Sequence, residues 1–279
     1  MSAIWIDTHA HLDVWPLPDN IALAAQTRAA GVVQVVLPAV APSNFALVQG
    51  LAQQLVYGYA LGIHPMYVAQ AGAEAIEQLA SALQQCHADA RLLAVGEIGL
   101  DFFAPELKTE PARQQQIAAY QAQIQLAQQH RLPVLLHVRQ SVDAVLKELR
   151  AARFAQGGIA HAFNGSWQQA QQFLDLGFKL GFGGACTHSR ATHLQALARG
   201  LPAHAIVMET DSPDMPPAWV YTPKHARDAG AGQAPNTPLE LPRIGAFIAD
   251  LRGVTVEDWA AQTTANACAA LPRLAALLG

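Results

Sequence analysis

Ala3-Ile4-Trp5-Ile6-Asp7-Thr8-His9-Ala10-His11 is the stretch on which the reading of this chain turns. Four apolar residues run into an aspartate and two histidines one residue apart. In an extended strand, residues two apart project from the same face, so Asp7, His9 and His11 are expected to point together from the strand's end. Paired imidazoles on one face form a metal clamp. A lone His-x-His is equally compatible with histidines that are merely satisfied in a core, so the rest of the chain must decide. His137 closes Leu132-Pro133-Val134-Leu135-Leu136, His161 closes Gly158-Ile159-Ala160, Glu97 closes Leu92-Leu93-Ala94-Val95-Gly96, and Asp211 follows Ala205-Ile206-Val207-Met208-Glu209-Thr210. One candidate ligand at the end of each apolar run makes geometric sense if the runs are parallel strands whose C-terminal ends share a mouth.

Eight such runs are predicted as strands, at 3–7, 32–37, 55–61, 91–97, 133–137, 158–161, 178–182 and 205–210, with helical patterns filling most of the gaps. The clearest helix is 110–130, where Ile117, Tyr120, Ile124 and Ala127 form an apolar stripe among glutamines that make a polar face. Eight strand–helix units in about 250 residues have the size of a (β/α)8 TIM barrel, whose reacting groups sit on the C-terminal ends of the strands. His9 and His11, Glu97, His137, His161 and Asp211 follow the first, fourth, fifth, sixth and eighth strands, as that rule requires. The stretch from Ser212 to Pro238, rich in Pro and Gly, is the longest irregular segment and is expected to be functional or mobile. After Gly253 the pattern is of helices that close the barrel, and the whole of 1–279 reads as a single domain.

With 279 residues, 52% hydrophobic and 14% charged, the chain can bury a large core. No apolar run reaches the roughly 18 to 20 residues of a membrane span, which predicts a soluble protein without a signal peptide and with no membrane partner. Cys86, Cys186 and Cys268 are odd in number and lack Cys-x-x-Cys spacing, which argues against a disulfide framework and for the reducing cytoplasm. A net charge of −4 with 17 Lys and Arg excludes a basic nucleic-acid-binding surface, yet two bound divalent cations would make the pocket itself attractive to a phosphate. Neither a phosphate-binding Walker loop nor a Gly-x-Gly-x-x-Gly opening a helix is present, so nucleotide-driven and redox chemistry have no support.

The chain resembles the TatD-like metal-dependent hydrolases, a branch of the amidohydrolase-like TIM barrels. The resemblance rests on Ile6-Asp7-Thr8-His9-Ala10-His11-Leu12-Asp13, Gly62-Ile63-His64-Pro65, Gly96-Glu97-Ile98-Gly99-Leu100-Asp101, His137-x-Arg139, His161-Ala162-Phe163-Asn164-Gly165-Ser166 and Glu209-Thr210-Asp211-Ser212-Pro213, in the family's order, with Asn266-Ala267 near the end. It implies that His9, His11 and Asp211 hold one divalent ion, that His137 and His161 hold a second, and that Glu97 bridges them. Phe102 stands where the family often has Tyr, Asn164 where Ser is common, and the 212–238 loop is longer than usual.

Two cations sharing a water lower its pKa and clamp the attacking and leaving oxygens of an in-line displacement, which suits phosphoester hydrolysis. The resemblance to TatD-type deoxyribonucleases implies a monomeric phosphodiesterase acting on single-stranded or terminal nucleic acid or on small phosphoesters. The metals are of the Mg, Mn, Zn or Ni class. Glu97 and Asp211 carry the chemistry, Asp211 by accepting the nucleophile's proton. His64 either faces the pocket to hold a phosphate or leaving oxygen or is a turn histidine beside Pro65. Arg139 either offers its fork to a phosphate or braces the mouth in a salt bridge. Asp7 either orients one histidine or belongs to an inward polar layer, and Asp101 and Asn164 are open in the same way. His188, His193, His204 and His225 lack partners at ligand spacing, and Cys186 lacks a triad-like setting. The same ligands would equally serve a metal-dependent ester or amide hydrolase, such as an aminoacyl-ester deacylase, because they activate water without choosing its target. A noncatalytic metal-binding protein is the third reading.

Overall fold

The eight strands are β1 (Trp5–Asp7), β2 (Val32–Pro38), β3 (Gly58–Leu61), β4 (Leu92–Asp101), β5 (Val134–Arg139), β6 (Gly158–Ala160), β7 (Phe178–Phe182) and β8 (Ile206–Met208). They pair in parallel and strictly in chain order. β8 returns to β1, where the Thr8 N–H donates to Met208 O at 3.0 Å, the Asp211 N–H donates to His9 O at 2.9 Å, and Ala10 and Ser212 form a parallel bridge. The computed structural model, which describes residues 3–15 and 17–278, is therefore the TIM barrel that the strand count implied.

Helices alternate with the strands: α1 (Leu17–Ala29), α2 (Phe45–Leu55), α3 (Val68–Ala71), α4 (Ala75–Gln85), α5 (Glu110–His130), α6 (Val142–Ala151), α7 (Trp167–Asp175) and α8 (Thr192–Gly200), then α9 (Lys224–Asp228), α10 (Leu241–Arg252) and α11 (Val256–Ala270). The strands are buried on both faces, which is why they read as continuous apolar runs. Their outward residues, Trp5, Val35, Tyr59 and Leu180 among them, pack beneath the helices in the larger core cluster. Trp5 lies so close to α10 that any side chain at Gly245 would collide with its indole. The inward residues Ile6, Val36, Ala60, Leu135, Ile159 and Val207 form a second cluster with Ala267, Leu271 and Leu274, so α11 and the 3-10 turn after it plug the bottom of the barrel. Inside the barrel the ionisable groups lie at the other end, while at the plug the buried Gln34 amide donates to Leu277 O at 3.1 Å.

α5 starts at Thr109, whose hydroxyl accepts the Ala112 N–H at 3.4 Å, and ends at Arg131 in the left-handed region. Tyr120, Ile124 and Ala127 are buried as the stripe required. The polar face differs from expectation, because Gln116 and Gln123 are buried as well. Gln123 accepts the Ile63 N–H at 2.7 Å and donates to Ile63 O at 3.1 Å, while Gln116 accepts the Asp101 N–H at 2.8 Å. Backbone groups where β3 and β4 leave the sheet need partners, and these two amides supply them. The segment after β8 is irregular apart from the short α9, and Asn236 ties it down by donating to Thr210 O at 2.8 Å and Asp214 O at 2.9 Å. Among the described residues no helix is long and apolar enough to cross a membrane.

Candidate metal centre

Glu97 lies at the centre of the mouth, on β4, and its two oxygens face different histidines. Oε2 is 3.3 Å from His9 Nε2 and 3.4 Å from His11 Nε2. Oε1 is 2.9 Å from His137 Nδ1, 3.0 Å from His161 Nε2 and 3.4 Å from His64 Nε2. Asp211 adds its Oδ1 on the first side, 3.7 Å from His9 Nε2 and 3.9 Å from His11 Nε2. It takes a left-handed backbone with φ of 54°, which an aspartate tolerates better than most residues. The ligand atoms fall into three compact groups: His9 with Glu97 and His161, His9 with His11 and Asp211, and His64 with Glu97 and His137.

The structure thus brings together His9, His11, Glu97, His137, His161 and Asp211, and it adds His64 to the same cluster. His64 Nδ1 accepts the Met66 N–H at 3.2 Å, so in the neutral ring the proton sits on Nε2, which faces Glu97 as a donor. Arg139 lies at the rim, half exposed, with its guanidinium carbon 4.0 Å from the Phe103 ring centroid and Nη1 3.9 Å from Asp101 Oδ2. Of the two readings open for Asp7, the structure does not bear out the one that orients a histidine ring. β1 ends at Asp7, so strand alternation stops there, and the Asp7 carboxylate accepts from the Thr210 hydroxyl at 2.6 Å, the Thr210 N–H at 3.0 Å and the His9 N–H at 3.2 Å. It fastens β1 to the end of β8 and makes no contact with the His9 ring, whose Nδ1 is buried without a partner among the described residues.

Two acids support the histidines from behind. Asp101 Oδ2 is 3.2 Å from His137 Nε2 and Glu97 Oε1 is 2.9 Å from its Nδ1, so both ring N–H groups donate to carboxylates, and a cation taking the place of the Nδ1 proton would meet a ring that Asp101 holds in orientation. Glu209, not singled out in the sequence reading, is buried with Oε1 accepting the Ala162 N–H at 2.6 Å and lying 3.9 Å from His161 Nδ1. Gly181 makes room for it, since a Cβ there would overlap the carboxyl. The signal was its spacing, two residues before Asp211 on the same strand end. His188 donates to Pro216 O at 3.0 Å and His193 to Gly165 O at 2.9 Å, both away from the cluster, and His204 and His225 are exposed. Cys186 is buried in the cleft wall, where burial pushes its thiol up to about 12 and keeps it inert.

The charges are strongly coupled. Burial alone would raise the Glu97 carboxyl, but His64, His161 and His9 hold it well below the usual carboxylate range. Burial, joined by the neighbouring His161, pushes His9 down to about 3, so its imidazole stays neutral with a lone pair to give. Burial also opposes a charge on His161, yet Glu97 outweighs it and pushes that ring up to about 10. Against burial, His137 and the Ala104 and Phe103 N–H groups hold Asp101 down to about 2. A charged carboxylate ringed by imidazole nitrogens is a donor set that can exchange protons for divalent cations. The cluster opens into a cleft of about 1240 Å³.

A family model described as TatD related DNase matches residues 6–272. The chain belongs to the TatD-related DNase family. It is 37% identical over 250 residues to an uncharacterized metal-dependent hydrolase, YjjV, of Escherichia coli K12, covering 89% of this chain and 90% of that one. It is 31% identical over 251 residues to a protein of Klebsiella pneumoniae named 3′-5′ ssDNA/RNA exonuclease TatD, covering 89% and 90%. The crystal structure of E. coli YjjV superposes with a TM-score of 0.86 at 33% identity, over 98% of this chain and 99% of that one. This TatD-family chain is accordingly a metal-dependent hydrolase, and the His/Glu/Asp cluster is where it can hold metal.

Proposed function

We propose that this TatD-family hydrolase is a two-ion phosphodiesterase that acts on the ends of single-stranded nucleic acid or on small phosphoesters, as a cytoplasmic monomer built from one domain. The observation that carries the reading is the division of Glu97, with Oε2 toward His9 and His11 and Oε1 toward His137 and His161. A carboxylate so placed can contact two cations and offset part of their repulsion. His9, His11 and Asp211 would hold one ion, His137 and His161 the other. When bound, the ions supply an acidified water and neutralise phosphate charge; Mg, Mn, Zn and Ni all suit this donor set. Asp211 turns Oδ1 to the imidazoles and has a second oxygen to take the water's proton. With cations on Glu97, His64 would give the Nε2–H that now faces that carboxylate to a phosphate or leaving oxygen, and Asp101 holds the His137 ring in orientation. Arg139, with its exposed fork, receives a flanking phosphate. A relative named as a 3′-5′ ssDNA/RNA exonuclease supports the choice of substrate.

The test is a panel under one added metal at a time, pairing single-stranded oligonucleotides and an activated phosphodiester with carboxyl esters, including an aminoacyl ester. Release of nucleotides and of the diester's leaving group is expected. Exclusive turnover of the esters would replace this reading with the deacylase one.

A further inference from the structure

The mouth of the cleft carries an unusual collection of exposed apolar side chains. Val14, Met66, Tyr67, Phe103 and Met215 all line it, and each is between 36% and 58% exposed. Large apolar groups clustered in the open mark a binding surface. Two of them are aromatic, and both are tied to histidines of the cluster. Tyr67 lies in the turn after β3 with its ring centroid 6.1 Å from that of His64, edge to face. Phe103 is held through Asp101, whose Oδ1 accepts the Phe103 N–H at 2.7 Å and the Ala104 N–H at 3.0 Å while Oδ2 contacts His137 Nε2 at 3.2 Å. One carboxylate therefore sets both the His137 imidazole and the Phe103 backbone.

Charge says what the rim receives. Among the described residues lining the cleft, Arg139 is the sole arginine or lysine, and its guanidinium is stacked on Phe103 at 4.0 Å. Lys108, just outside, brings its ammonium to 5.5 Å from the same ring. Asp13, Asp143 and Asp214 also line the mouth. In a chain of net charge −4, an anionic strand finds its attraction at Phe103. Flat rings combined with cations are what an unstacked base and its phosphate require. We propose that Phe103, Arg139 and Tyr67 form a nucleobase-stacking subsite for an unpaired nucleotide beside the scissile phosphate. This rests on the phosphodiesterase reading above. A base inside a duplex has both faces covered by its neighbours, so the subsite selects frayed or single-stranded ends and tolerates any base.

The test uses Mn-loaded enzyme and single-stranded oligonucleotides that are either natural or abasic at the two nucleotides nearest each end. Wild-type kcat/KM is expected to favour the natural strand by about tenfold, chiefly through KM. In Phe103→Ala that preference is expected to fall to within about twofold, and Arg139→Lys, which keeps the charge and loses the plane, is expected to lose part of it. The readout is the ratio between substrates, which a general loss of folded protein does not move; thermal unfolding of each variant checks the fold. Equal wild-type rates on both strands, or an undiminished preference in Phe103→Ala, would overturn the subsite. Wild-type hydrolysis of methyl 4-nitrophenyl phosphate alongside equal strand rates overturns the subsite alone, whereas no turnover of any phosphodiester overturns it together with the phosphodiesterase reading.

Discussion

Glu97 Oε1 lies 3.0 Å from His161 Nε2, while its other oxygen is turned to a different pair of imidazoles. The Glu97→Gln change keeps the shape and removes the charge on which every nearby imidazole depends. Metal analysis of the purified variant is expected to show fewer bound ions than wild type. Activity is expected to fall by more than the roughly 10- to 100-fold typical of residues that only support a metal ligand. Wild-type metal content in Glu97→Gln would refute the bridging role.

In the proposed two-ion centre Glu209 would be such a supporting residue. Its Oε1 is 3.9 Å from His161 Nδ1, which has no other partner among the described residues. Removing the carboxyl in Glu209→Ala is expected to weaken metal binding by about 10- to 100-fold, with a smaller effect in Glu209→Gln, which keeps an acceptor for the Ala162 N–H. Metal titration with a competing chelator reads the difference, and equal affinity in wild type and Glu209→Ala would remove the role.

Proton competition gives the centre a pH dependence of definite sign. His161 must be deprotonated to hold a cation, and beside Glu97 it is pushed up to about 10 from 6.5. Metal affinity is therefore expected to rise with pH between 6 and 9, by up to about tenfold per unit for each proton released. The raised value also stabilises the ion-free fold, fully below pH 6.5, and that contribution is lost as pH climbs toward 10. Thermal unfolding of chelator-treated protein should show Tm falling over that window and recovering with added metal; a Tm that rises with pH would contradict the coupling.

The cluster was legible because each candidate ligand follows an apolar run, although the strands do not end at Glu97 or His137 as the runs suggested: β4 continues to Asp101 and β5 to Arg139. Less legible was what lies beyond the regular strand. Alternation assigned Asp7 to the face of His9, but the pairing of β1 ends at Asp7 and the carboxylate turns to Thr210. Gln116 and Gln123 looked like a solvated face, since composition cannot reveal that two backbone segments above α5 lack partners. Glu209 is marked by its spacing two residues before Asp211, but its contact with His161 joins different strands, which local spacing does not show.

Asn236 anchors the long segment after β8. Its amide donates to Thr210 O and Asp214 O, and its own N–H donates to Pro213 O at 3.0 Å. Asn236→Ala would leave carbonyls next to Asp211 unpaired, at a cost of about 1–3 kcal/mol. Urea unfolding is expected to register that loss together with a fall in kcat, because Thr210 immediately precedes Asp211. Unchanged activity would show that the segment can shift without disturbing the carboxylate.

Leu271 supplies the opposite control. It is buried in the plug at the bottom of the barrel, among Ile6, Val36 and Leu135, with the interior of the sheet between it and the metal cluster. Leu271→Ala removes packing atoms from a site that the surrounding strands cannot close around, so a destabilisation of about 2–5 kcal/mol is expected. Metal content and turnover per folded molecule should stay at the wild-type level, since the ligands hang from the other ends of the strands. Measured together by urea unfolding, metal analysis and activity at a temperature well below the variant's Tm, these quantities separate stability from chemistry. A matching fall in metal affinity would mean that the strands transmit strain from the plug to Glu97, and that the two ends of the barrel are coupled.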